Sequence, residues 1–388
     1  MTSAPVPVAP ERAASPHRAP LRVCLVGPSL DIVGGQSIVL DRLLARFRDT
    51  PGIEISFVAV NPRLPGPLRA LQRVKYVRTV VTSVAYVASL VRRLRDVDVV
   101  HAFSASYWSF LLAPVPAMLV GRLYGKAVVL NYHSGEADDH LTNWRTAVPL
   151  AHLAHAIAVP SDYLVDVFRR HALGARVVFN FVEADAIPFR PRAALRPRFL
   201  SNRNLEALYN VACSIRAFAR VQEAVPEAEL VVAGEGRERA ALEGLVASLR
   251  LRNVRFVGRV APGEMPALYD AADVFLNSPE IDNMPSSIIE AYAAGLPVVT
   301  TDAGGIPYLV RHEATGLMVP TGDDAAMADQ ALRLLRDPAL VARITAQARA
   351  ECLERYVWPA VRMAWLRLYR DAMASATHGL ATTTPGSA

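Results

Sequence analysis

Cysteine is scarce in this chain: Cys24, Cys213 and Cys352 are the only three in 388 residues. They stand too far apart for a disulfide framework or for the paired Cys-x-x-Cys spacing of zinc and redox sites, so a reducing compartment is expected. No run of 18 or more apolar residues is uninterrupted, which argues against a membrane-spanning helix, and the first residues, MTSAPVPVAPERAASPHRAP, lack the apolar core of a secretion signal. The expectation is a cytoplasmic protein with a disordered Pro/Ala-rich leader over residues 1–20. Lysine is nearly absent as well. Lys75 and Lys126 are the only two, so almost every cation is an arginine. Hydrophobic residues, by contrast, make up 52% of a chain that is long for one core, which predicts two packed domains rather than disorder.

The net charge of +6 is unevenly spread. Residues 1–185 hold 20 Lys+Arg against 14 Asp+Glu, leaving 22 against 22 in the remainder, so the whole excess sits in the first half. Its basic residues cluster in LRALQRVKYVR (68–78) and VRRLR (91–95), on either side of the apolar, helix-compatible VVTSVAYVASL. Such a helix suits an anionic membrane surface. An arginine-rich solvated face beside a core-facing one is the commoner use of this pattern. Nucleic acid is not expected, because basic and aromatic residues are not interleaved and no binding motif is present.

Short β-rich runs alternate with helical spacing. LRVCLVG (21–27), the glycine loop PSLDIVGGQ and SIVLDRLLARF (37–47) read as strand, loop and helix, and further strands are expected at 53–60, 98–103, 127–133, 156–161 and 176–181. ADAIPFRPRAALRPRFL (184–200), with three prolines and four arginines, breaks the rhythm and marks the boundary between domains 21–185 and 186–357. A second series follows, with strands at 228–234, 254–260, 273–278 and 297–302 and helices at about 206–222, 237–250, 263–272 and 286–294. The predicted fold class is α/β: two Rossmann-like, doubly wound domains that place strand C-terminal ends across a cleft, where such sheets bind ligands. A last amphipathic helix is expected over 358–373, packing back on the first domain, with a disordered tail at 374–388.

SPEIDNMPSSIIEAYAAGLPVVTTDAGGIPYLV (278–310) is the richest segment. Pro285 followed by Ser286 and Ser287 is a helix start, so Asp282 and Asn283 precede the helix and Glu290 lies on it. Two carboxylates then face one cleft, and a carboxylate suits the vicinal hydroxyls of a sugar or ribose ring. The glycine pairs Gly34-Gly35 and Gly304-Gly305 each follow a strand and open a helix, where backbone N–H groups can meet phosphate or simply form tight turns. GPSLDIVGG lacks the GxGxxG spacing, so hydride transfer is disfavoured.

Asp282 and Glu290, with seven residues between them and EAYAAGLPVV (290–299) following, resemble the signature of the retaining glycosyltransferases of family 4, which have the GT-B architecture. LVVAGEGRERAAL (230–242), FVGRV (256–260), LYDAADVFLNSP (268–279) and DAGGIPYLV (302–310) extend the resemblance over roughly 21–372. It implies that Glu290 binds the donor ribose and Asp282 the transferred sugar, where family members usually carry Glu; Glu280 is a possible substitute. The donor site is expected to include Gly34, Gly35, Arg203, Arg259, Asn283, Gly304 and Gly305. It places the family's active-site histidine at His133, where it orients the sugar, with His101 as a weaker candidate. Arg203 in FLSNRNLEALYNV (199–211) takes the position of the arginine that stabilises the departing diphosphate. The family's accompanying lysine is missing: its place falls on Leu208 or Tyr209, leaving Tyr209, Asn210 or Arg259 to compensate.

Glu136, Asp138 and Asp139 contact acceptor or solvate a loop. The Asp96-Val97-Asp98 string resembles a metal-binding DxD but leads into a buried strand. The resemblance implies no metal and no cofactor beyond a nucleotide-diphosphate sugar as co-substrate, and the basic first domain points to a lipid-linked or glycan acceptor of the cell envelope. The alternatives are a non-catalytic nucleotide-sugar-binding subunit that assists a partner enzyme, and a nucleotide-sugar epimerase.

Overall fold

The computed structural model describes residues 19–31, 35–64, 66, 75–192 and 194–381. Most of the expected leader, Gly34, the greater part of the 68–78 basic run and the end of the expected tail lie outside these residues.

Two parallel sheets of six strands form the molecule. The first contains β1 (Leu21–Gly27), β2 (Ile53–Ala59), β3 (Val99–Ser104), β4 (Ala127–Tyr132), β5 (Ala156–Val159) and β6 (Ala175–Val177), in the order β2-β1-β3-β4-β5-β6. The second contains β7 (Arg198–Asn202), β8 (Glu229–Ala233), β9 (Val254–Gly258), β10 (Val274–Asn277), β11 (Val298–Thr301) and β12 (Leu317–Val319), in the order β12-β11-β10-β7-β8-β9. β3 and β4 are buried along their whole length, which is why VVHAFS and AVVLNY read as continuous β-prone runs.

Two strands escape the sequence reading. β7 directly follows Pro197 and has only two apolar residues, Phe199 and Leu200, yet it is central, pairing with both β8 and β10. β12 is three residues long, too short for periodicity to register.

The Pro/Arg-rich segment between the sheets is pinned to the second domain. Asp273, fully buried, accepts Arg190 and Arg196 at 2.9 Å each, while the buried Arg192 donates to the carbonyls of Tyr269, Ala272 and Ala294. Arg190 and Arg192 thereby saturate carbonyls at and just past the ends of the helices Met265–Ala271 and Ser286–Ala294, which would otherwise be left bare.

The last helix, Trp358–Ala381, runs eight residues past its expected end. The apolar stripe of its sequence simply continues, and Trp358, Trp365, Tyr369, Ala372 and Ala376 pack into the core of the first domain with Phe47, Val129 and Phe181. The chain therefore crosses back after completing the second sheet.

Candidate functional site

The C-terminal ends of both sheets face one another, so the loops that leave β4, β7, β8 and β10 line a common cleft. After β4 comes His133, after β7 Arg203, after β8 Gly234, and after β10 the loop holding Asp282 and Asn283 ahead of the helix Ser286–Ala294. That helix carries Glu290 one turn in, as the Pro-Ser-Ser start predicts.

Two adjoining cavities occupy the cleft. One, of about 550 Å³, lies on the second domain's side and is lined by Gly234, Gly236, Arg259, Val260, Met265 and Tyr269 among others; Arg42 and Ile38 close it from the first domain. The other, of about 460 Å³, lies between the domains and is lined by Gly35, His133, Gly135, Asp282, Asn283 and Ser287 among others. Asn202, Arg203, Asn204, Ile38 and Glu290 face both.

Arg203 and Asp282 form an ion pair, Nη2 to Oδ2 at 2.5 Å, and the guanidinium lies 4.0 Å over the face of the Tyr209 ring. Glu290 uses both oxygens: Oε1 accepts from Arg42 Nη2 at 2.7 Å and Oε2 from the Tyr269 hydroxyl at 2.8 Å. Tyr269 is fully buried and accepts in turn from Asn202 Nδ2, and burial together with Glu290 pushes its phenol well above the ordinary range, so it stays an O–H donor.

Two polar atoms in the inter-domain cavity have no partner. His133 Nε2 and Asn283 Nδ2 are both buried and unbonded. Burial holds the His133 imidazole down at about 4, so the ring is neutral near pH 7. Asn283 is fixed by its other end, Oδ1 accepting from Ser161 Oγ across the domain boundary. A buried polar atom left unbonded costs on the order of 1–3 kcal/mol, and both of these belong to residues that line one cavity.

A family model for glycosyl transferases group 1 matches residues 188–351. The phosphatidyl-myo-inositol mannosyltransferase of Mycobacterium leprae is 32% identical over 298 residues, which is 72% of this chain and 75% of that protein. This chain belongs to the group 1 glycosyl transferases. The glycogen synthase of Mycobacterium tuberculosis is 29% identical over 71% of the chain and 69% of its own length. Among solved structures, HepE of Anabaena in complex with UDP has a TM-score of 0.72 at 19% identity, covering 89% of this chain and 99% of that one. Sucrose-phosphate synthase of Thermosynechococcus elongatus has 0.71 at 20%, covering 92% and 100%. The fold of the transferase is thus GT-B, as its motifs imply.

The transferase brings His133, Arg203, Asp282, Asn283, Glu290, Gly35 and Arg259 to the two cavities, while other sequence candidates fall elsewhere. Gly305 spends its N–H on the Asp282 carbonyl at 2.9 Å, and a side chain at either glycine of the 304–305 pair would meet the backbone of Asp282 or Asn283 within 2.3 Å; the pair shapes the acidic loop and faces neither cavity. Gly34 is outside the described residues.

His101 is buried beneath the last helix, between Tyr369 Oη at 2.8 Å and Asn131 Nδ2 at 2.9 Å, and is structural. Glu280 is exposed and bonded to Asn210, which itself caps the helix Val211–Ala224. Asp98 of the DVD string ties β3 to β1 through Arg22. Of the acidic loop after β4, Glu136 lines the inter-domain cavity, whereas Asp138 faces Arg170 and Asp139 accepts from Tyr107. Among the described residues no group of three or more His, Cys, Asp or Glu is placed to hold a metal ion.

Four participants went unread in the sequence: Arg42, Tyr269, Gly234 and Gly236. Arg42 sits on the helix Gly35–Arg48 with Ile38 and Arg46 at four-residue spacing, off the apolar stripe of Val39, Leu40, Leu43 and Leu44. A cation beside that stripe, downstream of a glycine pair, was the available signal. Gly234 and Gly236 are needed because an added Cβ would stand 2.0 Å from the Arg203 carbonyl and 2.1 Å from that of Leu205.

Proposed function

We propose that this glycosyltransferase moves a sugar from a nucleoside-diphosphate sugar to a hydroxyl acceptor, with retention of anomeric configuration and without a metal. The observation that carries the reading is the pairing of a neutral, orphaned His133 Nε2 with an orphaned Asn283 Nδ2, in one cavity with Arg203, Asp282 and Glu290. A sugar ring there satisfies both atoms; the nucleoside occupies the 550 Å³ cavity, with Glu290 at the junction for its ribose. The UDP and UDP-glucose complexes of the Anabaena neighbour support a nucleotide sugar as donor.

Arg203 exchanges its Asp282 partner for the diphosphate, and its charge grows in value as the glycosidic bond breaks and negative charge collects on the leaving oxygen. Arg259, exposed on the cavity wall without an ion-pair partner among the described residues, supplies the second cation that a lysine supplies elsewhere. These cations do the work that a divalent ion does in metal-dependent transfer. Tyr209 supports the first cation with its ring face, and Asn210 is committed to helix capping. Asp282, freed by the exchange, meets hydroxyls of the transferred sugar, and His133 orients that sugar. Closure of the cleft, where Gly135 of the first domain lies beside Ile281 of the second, excludes water from the bound donor.

The acceptor side points to the cell envelope. The helix Lys75–Arg93 exposes Val77, Val80, Val84, Val87 and Val91 in one stripe, and Leu112, Leu119, Leu123 and Trp108 are exposed on the neighbouring helices. Arg78, Arg92, Arg95 and Arg122 are exposed around them. No helix among the described residues is long and apolar enough to cross a membrane. A broad apolar face with a basic surround fits an anionic bilayer, and hence a lipid-linked or membrane-proximal glycan acceptor.

Incubation with a panel of nucleotide sugars, with release of nucleoside diphosphate and transfer product both followed, tests the reading. Transfer with a retained anomer supports it. A thermal shift without release identifies a binding subunit, the reading motivated by the missing lysine, whose place falls on Leu208 or Tyr209, and by Asp282 where family members usually carry Glu; an altered donor without transfer identifies an epimerase.

A further inference from the structure

We propose that Arg42, a residue of the first domain, positions the Glu290 carboxylate for the ribose of the donor nucleotide, so that ribose recognition is complete only when the two domains are together. The proposal rests on the reading of Glu290 as the ribose-binding acid. Its basis is the division of labour at that carboxylate. Each oxygen has two lone-pair directions. Arg42 Nη2 takes one on Oε1 and Tyr269 Oη one on Oε2, at 2.7 and 2.8 Å, which fixes the plane of the group and leaves one direction free on each oxygen. Two free directions on two oxygens match two vicinal hydroxyls.

The surroundings agree. Arg42 and Glu290 both line the 550 Å³ cavity, and their side chains are only 20% and 13% exposed, so the pair is shielded from the water that cancels most surface ion pairs. Arg42 Nη1 is also held by the Phe181 carbonyl, and Arg46, one turn further along the same helix, pairs with Glu183. The helix is therefore anchored to the chain that leads out of the first domain, and its guanidinium is presented to Glu290 rather than swinging free. With only Arg203 drawn from the first loop of the second domain, the first domain contributes a cation to the donor site.

The test is ribose selectivity, which a merely structural ion pair would not govern. Calorimetric titration of UDP, GDP and ADP, and of their 2′,3′-dideoxy counterparts, is carried out on the full chain and on Arg42→Gln, Arg42→Lys and Tyr269→Phe, with melting temperature as the check on folding. The full chain should prefer the ribonucleotide it binds by about tenfold or more, the worth of hydrogen bonds to a charged group. Arg42→Gln should reduce that preference to about threefold or less, with Arg42→Lys restoring part of it, because one oxygen of the acid is released. Tyr269→Phe releases the other oxygen from within the second domain and should act in the same direction, which keeps the test open if Arg42→Gln folds poorly. A preference unchanged in both Arg42→Gln and Tyr269→Phe overturns the positioning role while leaving the donor reading intact. Equal binding of ribo and dideoxy forms by the unmodified chain overturns the reading of Glu290 as the ribose acid and this proposal with it, and binding of no nucleotide overturns the donor reading as well.

Discussion

Arg203 and Asp282 are each other's partner in the cleft, 2.5 Å apart and each only 11% exposed. On the proposed reading, the guanidinium that takes the diphosphate and the carboxylate that meets sugar hydroxyls hold one another until a donor separates them. The two substitutions of this pair should therefore act in opposite directions on nucleotide affinity. Asp282→Asn leaves Arg203 without a competitor, so a nucleoside diphosphate should bind more tightly while sugar transfer falls. Arg203→Gln should weaken the diphosphate and lower kcat by on the order of 10²- to 10³-fold, as removal of one charge-stabilising donor does. Titration calorimetry beside turnover on the same preparations checks both signs.

The ring under Arg203 gives a second test. Tyr209→Ala removes the platform and should cost roughly 0.5–2 kcal/mol of guanidinium positioning, about 3- to 30-fold in kcat/KM. Tyr209→Phe keeps the ring and should keep most of the activity. Equal loss in both variants would mean that the hydroxyl matters rather than the face.

Gly236 is the point where the loops after β7 and β8 cross. In Gly236→Ala the new Cβ stands 2.1 Å from the Leu205 carbonyl, a backbone atom that moves only if the Arg203 loop moves with it. Nucleotide binding should be lost and the melting temperature should drop, whereas Gly244→Ala, where an added Cβ meets nothing, should be neutral or stabilising. Differential scanning fluorimetry with and without nucleotide separates the two effects.

Acid should destabilise the fold before it reaches the carboxylates. Burial lowers His101 to about 3, and His133, His140 and His155 to about 4, each from 6.5. Between 6.5 and those values the unfolded chain binds protons that the folded chain refuses, so stability is full above about pH 6.5 and declines as pH falls toward 4. The melting temperature measured from pH 8 to 4.5 should follow that course, and replacement of His133 by Gln should lessen its slope, with His101, His140 and His155 supplying the rest. Turnover should show no ionisation of His133 between pH 5 and 8, since the ring is neutral throughout.

The valine stripe predicts lipid behaviour. Val80→Asp with Val84→Asp puts two carboxylates on side chains that are 63% and 65% exposed, where folding is little affected. Sedimentation with vesicles rich in phosphatidylglycerol should fall sharply, by about tenfold or more, given the cost of carrying charge into the interface. Wild-type protein that ignores such vesicles at low salt removes the membrane surface from the proposal, and self-association that the two substitutions abolish would assign the face to a second copy instead.

Much of the architecture was written in local pattern. Runs such as VVHAFS, AVVLNY and DVFLN are β-prone along their whole length because parallel strands are covered on both faces, and Pro285-Ser286-Ser287 marks the helix that carries Glu290 through local backbone preference alone. The places of His133 and the acidic pair were legible because each sits at a readable strand end or helix start, whereas Arg203, behind the unread β7, was singled out only by the family resemblance. Tertiary structure alone decided the remainder. β7 became central despite a proline before it, because its neighbours β8 and β10 supply the hydrogen bonds that propensity does not. Gly304 and Gly305 turned from phosphate donors into packing elements, since the carbonyl that takes the Gly305 N–H belongs to Asp282, a loop away. Arg42 met Glu290 across 248 positions, a distance at which no periodicity in the sequence carries information, and only the facing of two separately formed sheets brings such groups within 2.7 Å.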